Sequence, residues 1–223
     1  MASKTRSGAL KRSTDPIVYV VEDEEISRSL VQALARTIGV KCEAFDSAVA
    51  FLEHYNPQQP GCVVLDVFMP GMSGLDLQNE LNRRGAVIPV IFITGHADIP
   101  SAVEAMRHGA FGYLPKPFRN AELIDHVQRA LEYDRSNRES LQQVDAIHNR
   151  IMSLTRRERE VLDQIARGCA NKVIARDLGI SLRTVELYRS RLMEKMAAGS
   201  VAQLVRMLMD FQHSDLGSDT GDP

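Results

Sequence analysis

The chain has 223 residues, 44% hydrophobic and 25% charged, with a net charge of −2. This composition excludes collagen-like and strongly disordered classes, and no apolar run approaches the ~18–20 residues of a membrane span. Three cysteines (Cys42, Cys62, Cys169) without metal-ligand spacing read as reduced thiols of a cytoplasmic protein with no membrane partner.

Residues 1–15 form a basic arm (Lys4, Arg6, Lys11, Arg12), expected to be disordered; the absence of an apolar stretch behind it argues against a secretory signal. From 16 to 132 strand and helix patterns alternate. Apolar runs VYVV, CVVL, VIFI and FGYL read as strands of a five-stranded set, each meeting polar residues at its end: Glu22-Asp23, Asp66, Thr94, and Pro115 with Lys116-Pro117. Between them, Leu30, Val31, Leu34 and Ile38 recur at helical spacing and stop at Gly39. Asp46 or Ser47 can cap a second helix with Val49, Phe51 and Leu52, and Leu75, Leu77 and Leu81 mark a third. Pro100 opens a fourth with Val103 and Met106, ending at Gly109. Asn120 can cap a fifth with Leu123, Ile124, Val127 and Leu131. Repeated βα units imply a parallel sheet covered on both faces.

Residues 133–152 keep a helical stripe (Leu141, Val144, Ile147, Ile151) and read as a helical linker, which packs on its own domain or assists dimerisation. Every segment from 153 to 210 reads helical. Thr155 and Glu158 make a capping box ahead of Val161, Leu162 and Ile165. Asn171 opens a second helix with Val173, Ile174 and Leu178. Gly179 makes a turn, and Ser181 caps a third helix that turns Val185, Leu192 and Met196 inward. Val201, Leu204, Val205 and Leu208 stripe a fourth, with intradomain core the favoured use. Residues 211–223 read as a flexible acidic tail. Residues 16–133 carry 9 Lys/Arg against 15 Asp/Glu, whereas 150–210 carry 12 against 7. An acidic half joined to a basic half suggests two tasks, the second facing nucleic acid.

In an open parallel sheet, ligands bind beyond the carboxyl ends of the strands where strand order reverses. Residues distant in sequence can therefore share one crevice. Asp66 at a strand end is a candidate nucleophile toward a phosphoryl group. Glu22 and Asp23 offer hard oxygen ligands of the kind Mg²⁺ takes, and Lys116 is a point charge suited to Asp66 or its phosphate.

VYVVEDEE, CVVLDVFMPGMSG, VIFITGHAD and FGYLPKPF together resemble the receiver domain of two-component response regulators over residues 17–132. SLTRREREVLDQIARGCANKVIARDLGISLRTVELYRSRLMEKMAAGSVAQLVRMLMD, residues 153–210, resembles the LuxR-type helix-turn-helix domain of the NarL/FixJ subfamily. The resemblance implies a doubly wound, flavodoxin-like five-stranded receiver and an all-α, four-helix DNA-binding domain. It implies Asp66 as phosphoacceptor and Mg²⁺ held by Glu22, Asp23, Asp66 and the Phe68 carbonyl. Thr94, Gly95, Lys116 and Tyr113 become phosphoryl-binding or switch residues, and the Lys116-Pro117 bond is expected to be cis. The family's acidic pair is often two aspartates, and Glu22 departs from it. His96 reads first as a solvated loop residue and second as an influence on water access.

In the output segment, Arg183, Thr184, Glu186, Leu187, Arg189, Ser190 and Arg191 form the outward face of the third helix, with Lys172 and Arg191 as phosphate contacts. Tyr188 stands where the family commonly has His. The expected protein is a phosphorylation-activated transcription regulator and not an enzyme, beyond slow self-dephosphorylation. Its expected partners are a sensor histidine kinase, double-stranded DNA, a second copy on activation and RNA polymerase, with activation the favoured sense. An aspartate-nucleophile phosphatase is the rival from another class, but it needs a second acid where this chain has Phe68. A third reading is a constitutive DNA-binding protein whose receiver serves only as a scaffold.

Overall fold

The computed structural model describes residues 15–96 and 99–217, with side chains to Phe211. Residues 1–14, 97–98 and 218–223 lie outside it, and with them most of the basic arm and the end of the acidic tail. The chain divides into two compact units, Met1–Arg138 and Glu139–Pro223.

The first unit alternates β1 (Ile17–Val21), α1 (Glu25–Thr37), β2 (Lys41–Phe45), α2 (Ala48–His54), β3 (Gly61–Asp66), α3 (Gly74–Arg83), β4 (Val90–Thr94), α4 (Ile99–Arg107) and β5 (Gly112–Pro115), before α5 (Asn120–Met152). The strands form one all-parallel sheet in the order β2-β1-β3-β4-β5. Alternate strand residues bury on opposite faces. Tyr19, Phe51, Leu65, Leu77 and Phe92 fill one core, and Val20, Val31, Val64, Ile93 and Leu123 the other. Central strands covered on both faces read as continuous apolar runs, whereas β2, KCEAF, is a half-buried edge strand and made no such run.

Helix boundaries follow local chemistry. Ser47 Oγ accepts from Ala50 N, so Ser47 and not Asp46 caps α2. Ser73 and Asp76 form a capping box on α3. Asn120 is already the first helical residue of α5, and the Glu122 carboxylate reaches back to Arg119 N in front of it. Gln78 donates to Ala105 O and His108 O, and Asn82 to His108 O, so side chains of α3 serve carbonyls at the end of α4. Several residues of the helical stripes face outward: Leu30, Val49, Val103 and Met106 are exposed, and Ile99 is 80% exposed.

α5 runs unbroken for 33 residues, so the fifth helix and the expected linker are one element. Its residues 133–138 fall in the first compact unit. Buried Asp134 accepts from Gly61 N at 2.9 Å and pairs with Arg138, which also donates to Pro57 O and Gln59 O.

In the second unit, α6 (Arg156–Ala166), α7 (Asn171–Leu178), α8 (Leu182–Lys195) and α9 (Val201–Gly217) enclose Val161, Leu162, Ile165, Ile174, Val185, Leu192, Met196 and Leu204. Ile147 and Ile151 of α5 pack into this core, so half of the linker stripe is spent inside its own unit, while Leu141 is exposed. α9 continues through Gly217, where a tail was expected from residue 211. Phe211 packs against the core and extends the helix past that point. Leu204 is buried and Leu208 packs beside it, as the core reading required, but Val201 faces outward.

Candidate phosphoryl site and DNA-binding face

The sheet reverses direction of winding at β1 and β3, and their carboxyl ends carry the acidic residues. β1 pairs with β3 up to Val21 opposite Leu65, so Glu22 and Asp66 emerge side by side. Glu22 is 1% and Asp66 5% exposed, while Asp23 is open to solvent. Carboxylate oxygens of Glu22, Asp23 and Asp66 all lie within 4.8 Å of one another. Lys116, just past β5, reaches back with Nζ 2.6 Å from Glu22 Oε2 and 3.2 Å from Asp66 Oδ1.

Burial pushes the Glu22 carboxyl above its ordinary value, against the hydrogen bond from Lys116. Burial does the same to Asp66, opposed by the Lys116 charge and by Phe68 N, which donates to Asp66 Oδ2 at 2.9 Å. Burial alone would lower Lys116, but the Glu22 hydrogen bond and the Asp66 charge outweigh it and raise the ammonium. Three carboxylates thus face one ammonium, an excess of negative charge on oxygen donors that fits a hard divalent cation.

Thr94 is fully buried, and its hydroxyl is engaged by its own loop: it accepts from His96 N and donates to His96 O. Gly95 faces open space. Phe68 is exposed beside the site, its ring edge-on to His96 at 5.8 Å. Tyr113 on β5 is half-buried against Phe92. The Lys116-Pro117 bond is cis, as expected.

Two contributors went unnoticed in the sequence. Gly74 opens α3 directly against the end of β3: a Cβ there would overlap the Asp66 carbonyl oxygen. The GMSG segment carried that signal. Arg28, from the first turn of α1, donates Nη1 to Glu22 O at 2.8 Å and to Asp23 O at 3.1 Å. A basic residue at a helix start, against the dipole, is the only sequence hint of it. Elsewhere the cysteines are free, and burial lifts the Cys42 thiol to about 11 and Cys62 higher still, so neither is a ready nucleophile.

In the second unit, Ser181 caps α8 through Thr184 N and shares a 2.7 Å hydroxyl contact with Thr184. Thr184 is therefore partly committed to the cap. Val185, Leu192 and Met196 are fully buried, which turns Arg183, Glu186, Leu187, Ser190 and Arg191 outward, with Arg189 at the margin. Leu187 is 49% exposed, a large apolar side chain among charges. Lys172 on α7 is exposed. Tyr188 packs partly into the core. Gly179 takes the left-handed turn between α7 and α8 at φ 66°.

Residues 18–128 match the response regulator receiver domain, and residues 152–208 match the luxR family of bacterial regulatory proteins. Nodulation protein W of Bradyrhizobium diazoefficiens is 45% identical over 202 residues, covering 91% of this chain and 89% of that protein. The transcriptional regulatory protein FixJ of Azorhizobium caulinodans is 46% identical over 195 residues, covering 86% and 91%.

The chain belongs to the NarL/FixJ family of response regulators.

The solved structure of the response regulator StyR superposes on this regulator with a TM-score of 0.82 at 42% identity, covering 87% of this chain and 98% of that one. The regulator is thus a two-component, DNA-binding transcription regulator with a receiver and a helix-turn-helix output domain, and its relatives are regulators, not conventional enzymes. Among the described residues, no helix is long and apolar enough to cross a membrane.

Proposed function

We propose that the regulator accepts a phosphoryl group on Asp66 from the phosphohistidine of a sensor histidine kinase, and that this controls dimerisation and promoter binding. The observation that carries the reading is the convergence of Glu22, Asp23, Asp66 and Lys116 at the switch point of the sheet. An Asp66 carboxylate oxygen attacks phosphorus as the bond to the kinase imidazole breaks, leaving an acyl phosphate on Asp66 and a neutral histidine. Glu22, Asp23, Asp66 and the Phe68 carbonyl would hold Mg²⁺. Bound there, the metal offsets repulsion between Asp66 and the incoming phosphoryl oxygens. Lys116 then pairs with the phosphoryl group.

The product adds charge and acceptor oxygens. Thr94 exchanges the His96 carbonyl for a phosphoryl oxygen, Gly95 gives it room, and Tyr113 follows inward. These shifts favour a second arrangement of the α4–β5 face, where Ile99, Val103 and Met106 are exposed and available to a second copy. The paired output domains address two half-sites through α8. Thr184, Glu186, Leu187, Arg189 and Ser190 lie nearest the DNA, with Arg183 on the same face, and Lys172 and Arg191 lie toward phosphates. Activation through contact with RNA polymerase completes the reading, and the acyl phosphate is lost slowly by self-hydrolysis.

The test is phosphoryl transfer from acetyl phosphate with Mg²⁺, followed by intact-protein mass. Wild type is expected to gain one phosphoryl group and Asp66→Asn none; labelling of both, or of neither under any Mg²⁺ condition, sinks the assignment of Asp66.

A further inference from the structure

We propose that Arg28 is a positioning residue for the metal site, clamping the backbone that presents Glu22 and Asp23; the inference rests on the Mg²⁺ reading above. Arg28 is the fourth residue of α1, a position where a cation opposes the positive end of the helix dipole. Its guanidinium is half-buried against the preceding loop. One nitrogen folds back to serve two consecutive carbonyls, Glu22 O and Asp23 O. Those carbonyls belong to the two residues whose carboxylates complete the cluster with Asp66.

Three carboxylates within 4.8 Å repel one another. Glu22 is restrained by Lys116 and by a hydrogen bond from Glu24 N, but Asp23 is exposed and projects from a loop between strand and helix. Holding both carbonyls fixes the peptide planes on either side of Asp23, so its carboxylate is kept toward Asp66. The charge of Arg28 behind the loop further offsets the repulsion. Groups that orient metal ligands in this way commonly account for ~10–100-fold in metal affinity.

The full-length protein is titrated with Mg²⁺ by calorimetry as wild type, Arg28→Met, Arg28→Lys and Arg28→Gln, and each is melted in EDTA. Asp66 labelling by acetyl phosphate is followed across Mg²⁺ concentrations. Arg28→Met is expected to bind Mg²⁺ about tenfold more weakly, with its half-saturating Mg²⁺ for labelling raised by the same factor and most of the rate recovered at saturation. Arg28→Lys keeps the charge and is expected to bind more tightly than Arg28→Met. Arg28→Gln reaches neither carbonyl and carries the same expectation as Arg28→Met should that variant not fold. Wild-type affinity in Arg28→Met or Arg28→Gln overturns the inference alone, as does a labelling rate depressed equally at every Mg²⁺ concentration. A wild type that takes up no Mg²⁺ overturns the metal reading and this inference with it.

Discussion

The Lys116 ammonium lies closer to Glu22, at 2.6 Å, than to Asp66, at 3.2 Å. It therefore neutralises Glu22 as much as the proposed phosphoacceptor, and a divalent cation bound as proposed would compete with it. Replacing Lys116 by Met leaves two buried carboxylates without their counter-charge. Complete burial would put the penalty near 3–5 kcal/mol, and partial exposure of the lysine reduces it to about 1–3 kcal/mol. Lys116→Met is thus expected to melt lower in EDTA, to bind Mg²⁺ more tightly and to gain more stability from Mg²⁺ than wild type does. Equal gains from Mg²⁺ in both proteins would show that the lysine does not compete.

Gly74 and Gly95 flank the same crevice but respond differently to a methyl group. At Gly74 the methyl would overlap the rigid Asp66 carbonyl, whereas at Gly95 it meets nothing. Gly74→Ala is expected to lose about 3 kcal/mol, at the upper end of overpacking effects, and Gly95→Ala to stay within about 0.5 kcal/mol of wild type. Denaturant melts followed on the receiver decide it; a tolerant Gly74 would mean that α3 does not pack on the end of β3 as described.

The output unit has its own acid sensitivity. A hydrogen bond from Lys195 at 2.7 Å, together with Thr155 N, holds the buried Glu158 carboxyl below its ordinary value. A depressed carboxyl contributes stability above its unfolded range and loses it as pH falls through the folded value. Melting temperature of the second unit should therefore decline from about pH 5 downward, and Glu158→Gln should begin lower and decline less over that range. Parallel acid limbs for the two proteins would remove Glu158 as the cause.

Between Lys172 on α7 and Leu187 on α8, charge and shape should separate in binding. Lys172→Ala removes a proposed phosphate contact and is expected to lower the salt slope of log Kobs by about 1 with little change in sequence preference. Leu187→Ala removes an apolar contact of the kind made with a thymine methyl and is expected to relax preference at one base pair per half-site by about 1–3 kcal/mol, leaving the salt slope intact. Binding to a randomised duplex pool at several salt concentrations reads both; identical selected sequences for wild type and Leu187→Ala would take Leu187 out of the groove.

What the sequence disclosed follows from how each feature is encoded. β1, β3, β4 and β5 are contiguous apolar runs because both faces are covered, and their polar ends stand where the sheet puts the site. The capping box of Thr155 and Glu158 is local and was legible in four residues. β2 escaped because an edge strand with mixed faces has no run to see. Arg28 and Gly74 act through backbone atoms of other elements, which side-chain patterns do not advertise. Asp134 and Arg138 were unread for a similar reason: they look like surface helix charges until Gly61 N, more than 70 residues away, is brought against them. Outward Val103 and Met106 obey the helical period of α4 but not its burial, since periodicity finds an apolar face without saying whether the same chain covers it.

The most direct measurement is the oligomeric state and the selection of randomised duplex DNA by the full chain, with and without Mg²⁺ and acetyl phosphate, for wild type and Asp66→Asn. The expected result is a shift of wild type alone toward dimer, with tighter selection of a sequence containing two half-sites. Equal DNA binding by both proteins in every condition would contradict phosphorylation control and leave the receiver as a dimerisation scaffold.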